Sequence, residues 1–398
     1  MLLALSAALW MACDPLGPVP PAPPAAPTSV TTSVIDTSRI DVTWAHPGAG
    51  ITEFRVERRT GTSPFGHVGT VPPSGRLFED EELSTGTPYE YRLRACAAAN
   101  LCSWFTPTVY ATTHDAGDRF ADDAPDDSTG PQIHVMYVLP RDAIDRRLDL
   151  NGRLATSVAS FHNWFMLKSG LRIRLDTRDG ELDVTGFRLA RRDEEIKAFG
   201  SGVLFQIFDE LSAAGKLASG KTYLVYYDGG STYSCGGAMW PGPMTAMYLK
   251  GTPPGASCGG QHFVSSPTDF PRYWEFAALH DLLHTFGIVS PAAPNHQNQY
   301  PAHVPEQHDL MYTGPGSWTL NQTTTIDVGG NDYFGANVPD GIANLANTPF
   351  VTPIPAAAVG TLAEPDHSVM ERLQRLIHAL PPHEPLAPRA IQLAPRDR

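Results

Sequence analysis

Charged residues are scarce in this sequence. Asp, Glu, Lys and Arg together account for 18% of its 398 residues, and the net charge is −13. Because no stripe or cluster of basic residues is present, we do not expect a nucleic-acid partner. The chain also lacks the G-x-G-x-x-G turn of dinucleotide-binding domains. It therefore carries no signature of a dinucleotide-dependent enzyme.

Apolar residues, proline and glycine are plentiful by contrast. Hydrophobic residues make up 42% of the chain, which also contains 37 Pro and 35 Gly. A chain of this length has room for two or three domains with cores of their own. Low charge together with many prolines and glycines indicates a loop-rich extracellular protein rather than a cytosolic one.

Only five cysteines are present, and they fall in three places. Cys96 and Cys102 lie close together, Cys235 and Cys258 lie in a second segment, and Cys13 stands alone near the N-terminus. We expect two disulfides and one modified cysteine, which suits an oxidising compartment. Free thiols are the alternative, because the sequence alone does not establish pairing.

The N-terminal segment predicts export. Residues 1–12 form an apolar run that is too short to span a bilayer but is typical of a signal peptide. The residues WMAC that end at Cys13 resemble a bacterial lipobox, which implies a lipidated cysteine that anchors the chain to a membrane. A plain cleaved signal peptide is the alternative. Residues 13–27 are rich in proline and predict an extended spacer, so we expect an extracellular or cell-envelope location.

Residues 28–113 read as short strands separated by turn signals. Residues 40–44, 54–58 and 87–95 alternate between apolar and polar side chains, and the first of these runs carries a tryptophan. The whole segment resembles a fibronectin type III domain, which implies an all-β sandwich. Tyr89 would occupy the tyrosine-corner position of that fold. Such domains usually act as spacers or docking modules.

An acidic stretch follows at residues 114–130. It contains six aspartates and almost no large apolar residues, which predicts a solvated linker. A calcium site is the alternative interpretation. The spacing of the aspartates does not match an EF-hand loop, so the linker is favoured.

Residues 131–350 predict an α+β domain. Strands are expected at 133–139, 171–175 and 222–227, and helices at 151–168 and 194–214. A third helix over the histidine-containing segment would follow a long irregular region. Residues 351–398 are rich in Pro and Ala, and we expect a loosely attached tail with a short helix at 369–380.

Two histidines four residues apart form the most informative motif. His280 and His284 would lie one turn apart on the same face of a helix, so both imidazoles can reach one metal ion. The helix is indicated by an apolar stripe at helical spacing that comprises Phe276, Leu279, Leu283 and Phe286. Gly287 then provides a natural end to the helix.

The segment 280–312 resembles a zincin metallopeptidase, in which a helix with the motif H-E-x-x-H binds zinc. It is closest to a bacterial zincin-like pattern that runs H-E-x-L-H-T-L-G and ends in D-L-M-Y. The resemblance implies that His280, His284 and His303 hold Zn²⁺. His296 is the other candidate for the third ligand.

The resemblance also assigns roles to three further residues. Asp281 stands where the family has its glutamate base, and aspartate is one methylene shorter, which places the proton transfer in doubt. Met311 corresponds to the methionine of a turn beneath the zinc. Tyr312 corresponds to a residue that hydrogen-bonds the substrate or the intermediate. Glu275 and Glu306 are poor substitutes for the base.

We therefore expect a multidomain protein, a fibronectin type III sandwich followed by an α+β zincin-like catalytic domain. The implied activity is that of a secreted or surface-anchored zinc metallopeptidase, which hydrolyses peptide bonds of a protein or peptide substrate through a zinc-bound water. One alternative is a zinc-binding pseudopeptidase, which the Asp281 substitution favours. The other is an adhesion or scaffold lipoprotein whose histidines are structural.

Overall fold

The molecule is described from a computed structural model. The structure describes residues 22–98, 101–115, 119–254, 257–314 and 317–355. Two compact units divide the chain, one ending at Ala116 and the other beginning at Gly117. The expected signal peptide, the lone Cys13 and the expected helix at 369–380 lie outside the described residues.

The first unit is a sandwich of two antiparallel sheets. Its strands are β1 (Thr28–Val34), β2 (Ile40–Ala45), β3 (Glu53–Arg59), β4 (Gly66–Val71), β5 (Leu77–Asp80), β6 (Pro88–Cys96) and β7 (Val109–Thr112). One sheet has the order β1-β2-β5 and the other the order β4-β3-β6-β7. Alternate apolar residues, such as Trp44, Phe54 and Tyr91, form the core of the sandwich. The three strands predicted from alternating patterns are all present.

Two local features close this sandwich. The Tyr89 hydroxyl accepts a hydrogen bond of 2.9 Å from the backbone N–H of Ser84, which is the contact expected of a tyrosine corner. A disulfide joins Cys96 at the end of β6 to Cys102. The predicted pairing of these two cysteines is confirmed.

The second unit is built on a five-stranded mixed sheet. The strands of the whole unit, including those outside this sheet, are β8 (Gln132–Leu139), β9 (Leu171–Ile173), β10 (Thr177–Arg178), β11 (Glu181–Leu182), β12 (Val184–Arg188), β13 (Lys221–Tyr227), β14 (Gly236–Ala238), β15 (Met244–Tyr248) and β16 (Val351–Pro353). The sheet order is β12-β8-β13-β15-β14. In this order, the first four strands are parallel to one another, and β14 is antiparallel to β15. Every residue of β8 is buried, as expected of a parallel strand that is covered on both faces.

Helices cover both faces of this sheet. They are α1 (Arg153–Ser169), α2 (Asp193–Lys197), α3 (Val203–Ala213) and α4 (Tyr273–Thr285). Val135 and Tyr137 of β8 contribute to the core that contains α1 and α4. Met136 and Val138, which point the opposite way, contribute to the core that contains α3. The unit is therefore layered as helix, sheet and helix.

The helix predicted at 194–214 is wrong as a single element. The chain instead forms α2, then a 3₁₀ turn at Gly200–Gly202, and then α3. Gly200 has a φ of +56°, a left-handed conformation that ends the first helix at little cost for glycine. The helical pattern on both sides of the glycine conceals the interruption.

The acidic stretch also differs from the expected solvated linker. Asp122 pairs with Lys216, and both Asp123 and Asp126 pair with Lys221 on β13. The backbone N–H of Asp127 donates to the Thr177 carbonyl. Residues 119–130 are thus attached to the second unit through lysines that lie far away in sequence.

Candidate metal centre

The histidine helix α4 is held at its N-terminus by Glu275. One carboxylate oxygen accepts the backbone N–H of Arg272 at 3.0 Å, and the other accepts the Ser157 hydroxyl of α1 at 2.7 Å. Burial raises the pKa of Glu275. This glutamate fixes where the helix begins and ties it to α1, so it is not a substitute base.

The helix ends as the sequence predicted. Gly287 has a φ of +76°, and its backbone N–H donates to the His284 carbonyl at 2.9 Å. Every residue of α4 is buried, so burial extends beyond the apolar stripe that predicted the helix. The two histidines therefore lie inside the unit, where water competes little with a ligand.

Three histidine nitrogens converge in this interior. The Nε2 atoms of His280 and His284 are 3.0 Å apart, those of His280 and His303 are 3.1 Å apart, and those of His284 and His303 are 3.2 Å apart. All three side chains are buried. The nitrogens form a nearly equilateral triangle.

The outer nitrogens of two of these rings have backbone partners. The Nδ1–H of His280 donates to the Leu310 carbonyl at 2.6 Å, and the Nδ1–H of His303 donates to the Pro301 carbonyl at 2.9 Å. A proton on Nδ1 leaves a lone pair on Nε2, so these lone pairs point into the triangle. Burial lowers the pKa of His280 to about 4, so this imidazole is neutral at physiological pH.

The triangle suits a tetrahedral metal ion. Nitrogen ligands about 2.0–2.1 Å from zinc at tetrahedral angles are about 3.3 Å from one another, close to the edges seen here. Neutral imidazoles with their Nδ1–H groups bound to carbonyls are the usual ligand state for zinc. Converging lone pairs repel one another, so a cation between them would relieve that repulsion.

The structure separates the two candidates for the third ligand. His303 joins the helix pair, whereas His296 does not belong to the group. The Nε2 atom of His296 instead accepts the backbone N–H of Ala302 at 3.1 Å, and its ring stacks on Trp240. His296 thereby supports the loop that carries His303.

A second network supports the turn below the triangle. One oxygen of Asp309 accepts the backbone N–H of Met311 and the Tyr333 hydroxyl, each at 2.7 Å, and the other accepts the backbone N–H of Val328 at 2.7 Å. Burial raises the pKa of Asp309 to about 7. The next residue, Leu310, provides the carbonyl that accepts the hydrogen bond from His280. The sequence analysis missed Asp309, although it is the first residue of the D-L-M-Y segment.

The remaining predicted residues lie near the triangle in sequence and are buried. Met311 and Tyr312 are 0% and 3% exposed. Asp281 is also buried, and burial raises its pKa well above the usual range. Its charge contributes, after burial, to raised pKa values at Tyr248 and Tyr273. The carboxyl therefore shares an apolar environment with two tyrosines.

The second predicted disulfide is also present. Cys235 and Cys258 are bonded, and both are buried in the core that contains α4. The bond closes a loop with a sequence separation of 23 residues, between the region before β14 and the 3₁₀ turn Cys258–Gly260. It fixes the irregular region that precedes the histidine helix.

Comparison with known proteins identifies the first unit. Residues 25–108 match the fibronectin type III domain family. The chicken CNTN1 FN1-FN3 domains are 21% identical with a TM-score of 0.22, and the match covers 24% of this chain and 33% of that chain. The fn3 domain of human contactin 1 is 23% identical with a TM-score of 0.23, and the match covers 26% of this chain and 89% of that chain. The beta-1,2-glucanase from Parabacteroides distasonis is 23% identical with a TM-score of 0.22, and the match covers 25% of this chain and 15% of that chain. The alignment therefore spans about a third of the chicken chain and less of the glucanase. No curated protein matches the sequence of this chain.

These findings establish a multidomain protein with an N-terminal fibronectin type III domain. Such a domain and two disulfides are typical of extracellular proteins. Within the described residues, no helix has both the length and the apolar composition that crossing a membrane requires. The family match ends at residue 108, so any function of the second unit is argued from its geometry.

Proposed function

We propose that the second unit is a zinc-dependent metallopeptidase of the zincin type, with His280, His284 and His303 as the metal ligands. The observation that carries the proposal is the triangle of Nε2 atoms, 3.0 to 3.2 Å apart. When bound, zinc polarises a carbonyl group and lowers the pKa of a water molecule to about 7. The fourth position of a tetrahedral site would be left to water or substrate.

The chain's own residues divide the other tasks. The carbonyls of Leu310 and Pro301 hold the proton on Nδ1 of His280 and His303, which leaves the lone pair of each Nε2 directed into the triangle. Asp281 follows the first histidine and is the proton acceptor in this proposal. Burial raises the pKa of this carboxyl, which makes its carboxylate form a stronger base. Tyr312 would donate a hydrogen bond to the substrate.

A pseudopeptidase is the second candidate, and Asp281 favours it. The aspartate reaches less far than glutamate, and it is buried in an apolar environment with its pKa raised. A protonated carboxyl cannot accept a proton, so metal binding would persist without hydrolysis. Loss of a general base costs typically about 10²–10⁴-fold in rate.

Metal analysis of the full chain tests the ligand set. Wild type should retain about one zinc ion per chain after dialysis, and His303→Ala should retain none. His308→Ala is the matched control. His308 lies on the same loop, is exposed, and forms a hydrogen bond with the Thr323 hydroxyl. Equal zinc in all three proteins, or none in wild type, would contradict the metal site.

Proteolysis of an unfolded protein substrate separates enzyme from pseudoenzyme. Chelator-sensitive cleavage by wild type that is lost in Asp281→Asn supports a peptidase in which this aspartate takes the proton. Zinc-loaded wild type without cleavage, together with cleavage by Asp281→Glu, would establish a pseudopeptidase disabled at one residue. Cleavage that survives in Asp281→Asn would remove the base role from Asp281.

The proposed setting is the cell exterior, with a protein or peptide as substrate. Lipidation of Cys13 would attach the chain to a membrane, and the fibronectin type III domain would act as a spacer or docking module. Mass spectrometry of the mature N-terminus tests this, since a diacylglycerol-modified Cys13 supports the anchor and an unmodified N-terminus contradicts it.

A further inference from the structure

A second group of ionisable side chains lies in the second unit, apart from the histidine triangle. Asp123, His134, Asp176 and Asp183 each offer an atom, and these atoms all lie within 4.8 Å of one another. Asp176 and Asp183 are 0% and 3% exposed. Asp123 is a quarter exposed, so the group opens to solvent on one side.

One cation already lies beside this group. The Lys221 ammonium is 2.6–2.7 Å from carboxylate oxygens of Asp123, Asp126 and Asp176. Asp183 brings the carboxylates to four, beside the single ammonium group of Lys221. Lys221 therefore balances the group only in part.

Two buried carboxylate oxygens are left without a donor. Both Lys221 and the Nδ1–H of His134 donate to the Oδ2 atom of Asp176 at 2.6 Å, and the backbone N–H of Ala124 donates to the Oδ2 atom of Asp183 at 3.1 Å. The Oδ1 atoms of Asp176 and Asp183 are buried and have no hydrogen-bond partner. Unpaired buried carboxylate oxygens are rare in folded proteins and call for a ligand.

The chemistry of the group decides which ligand it takes. Both nitrogens of His134 are engaged, Nδ1 with Asp176 and Nε2 with the Thr185 hydroxyl at 2.8 Å. The free donors are therefore carboxylate oxygens, which a hard cation such as Ca²⁺ prefers, rather than an imidazole that would select zinc. His134 orients Asp176 instead of binding the ion.

We propose that Asp123, Asp176 and Asp183 form a calcium site that attaches the acidic segment 119–130 to the second unit. The ion binds the Oδ1 atoms of Asp176 and Asp183, with Asp123 and water completing its shell on the solvent side. Lys221 stays in place as the second counter-charge. The site is independent of the histidine triangle, so it stabilises the fold without taking part in hydrolysis.

Calcium-dependent thermal unfolding of the full chain tests the site. With zinc held constant, about 10 mM CaCl₂ should raise the Tm of wild type by about 3–8 °C, with an apparent Kd of about 10⁻⁴–10⁻³ M. Asp183→Asn should lose this increment while keeping the acceptor for Ala124. Asp122→Asn is the matched control, because Asp122 is exposed and pairs only with Lys216. It should keep the increment.

A measurement on wild type guards against a variant that does not fold. The Tyr223 ring lies 5.7 Å from the His134 ring, close enough to sensitise luminescence from Tb³⁺ bound in the group. Saturable Tb³⁺ emission that Ca²⁺ displaces supports the site, and Asp123→Asn should weaken it. No Tb³⁺ emission, or a calcium increment that is equal in Asp183→Asn and Asp122→Asn, overturns the proposal.

Discussion

The second unit contains two buried histidine-containing groups that differ in what surrounds each ring. In the triangle, the Nδ1–H groups of His280 and His303 face backbone carbonyls and the Nε2 atoms face one another. At His134 both nitrogens face side chains of the fold, Asp176 and Thr185. The Nε2 atoms of the triangle converge on one point, as the proposed metal site requires, whereas both nitrogens of His134 are engaged by neighbouring side chains.

The two groups also differ in the charge they favour. Burial raises the pKa of Asp309 beside the triangle to about 7. Burial alone would also raise the pKa of Asp176, but hydrogen bonds from His134 and Lys221 hold it below its usual range. The triangle thus lies beside a carboxyl whose pKa is raised, whereas the neighbours of Asp176 in the second group favour its charged form.

Removing one histidine from each group should have the largest effect and tests directly which group binds zinc. His284→Ala should weaken zinc binding by about 10²–10⁴-fold, because one of three protein ligands is lost. His134→Gln should leave zinc affinity unchanged, since His134 binds no metal. Zinc affinity is measured by competition with a chromophoric chelator. Equal loss in both variants would mean that zinc binding depends on the fold in general and not on the triangle.

The pH dependence of unfolding tests the difference in pKa between the carboxyl groups of the two sites. The folded pKa of Asp309 lies above the unfolded value of about 3.9, so its contribution to stability is fully present below about pH 3.9 and is lost as the pH rises through about 7. Asp309→Asn cannot ionise and should flatten this decline, which amounts to about 2–4 kcal/mol. Urea unfolding at several pH values measures the slope.

The exposed Asp340→Asn is the control for Asp309, and its slope should match wild type. If Asp309→Asn also matches wild type, the buried carboxyl titrates near its ordinary value. The network with Met311, Val328 and Tyr333 would then outweigh burial.

Asp176→Asn should show the opposite sign. A lowered pKa means that the stabilisation is present above the unfolded value of about 3.9 and is lost as the pH falls through the folded value. In chelator, the variant should be about 1–3 kcal/mol less stable than wild type at pH 7, because charge-assisted hydrogen bonds from His134 and Lys221 are lost. The two proteins should converge once the pH has fallen below the folded pKa of Asp176. A constant gap across the pH range would contradict the lowered pKa.

The sequence predicted the parts of these groups that depend on neighbours along the chain. Helical spacing around His280 and His284 predicted one face of α4, and a glycine marked its end at Gly287. Runs of apolar residues predicted β8 and β13. Each of these signals arises within about ten residues, where spacing directly fixes which side chains are neighbours.

The path of the loop after α4 was not predictable in the same way. The sequence left His296 and His303 open as third ligands, because both follow the helix and lie among prolines. Their positions depend on turns such as the left-handed conformation of Ala302 and the hydrogen bond from the Gln297 N–H to the His303 carbonyl. Such contacts leave no periodic pattern in the sequence.

The acidic segment illustrates the same limit. Composition predicted a solvated linker, because six aspartates without apolar residues cannot build a core. The structure attaches three of them, Asp122, Asp123 and Asp126, through Lys216 and Lys221, about a hundred residues away in sequence. Local composition reports how much charge a segment carries but not where its counter-charges lie.

The smallest predicted effect concerns an alternative reading of His134. The Thr185 hydroxyl is 2.8 Å from Nε2 of His134, and Nδ1 of the same ring is 2.6 Å from a carboxylate oxygen of Asp176. This is the order of the nucleophile, the base and the orienting carboxylate in hydrolase triads. Thr185 lies in strand β12 of the central sheet and its hydroxyl is hydrogen-bonded to His134, so we expect the trio to be structural. Thr185→Val should cost about 1 kcal/mol of unfolding free energy for the lost hydrogen bond, and Thr185→Ser should cost less. Any peptidase activity should be the same in both variants as in wild type. Activity that disappears in Thr185→Val but survives in Thr185→Ser would transfer the chemistry from the triangle to this trio.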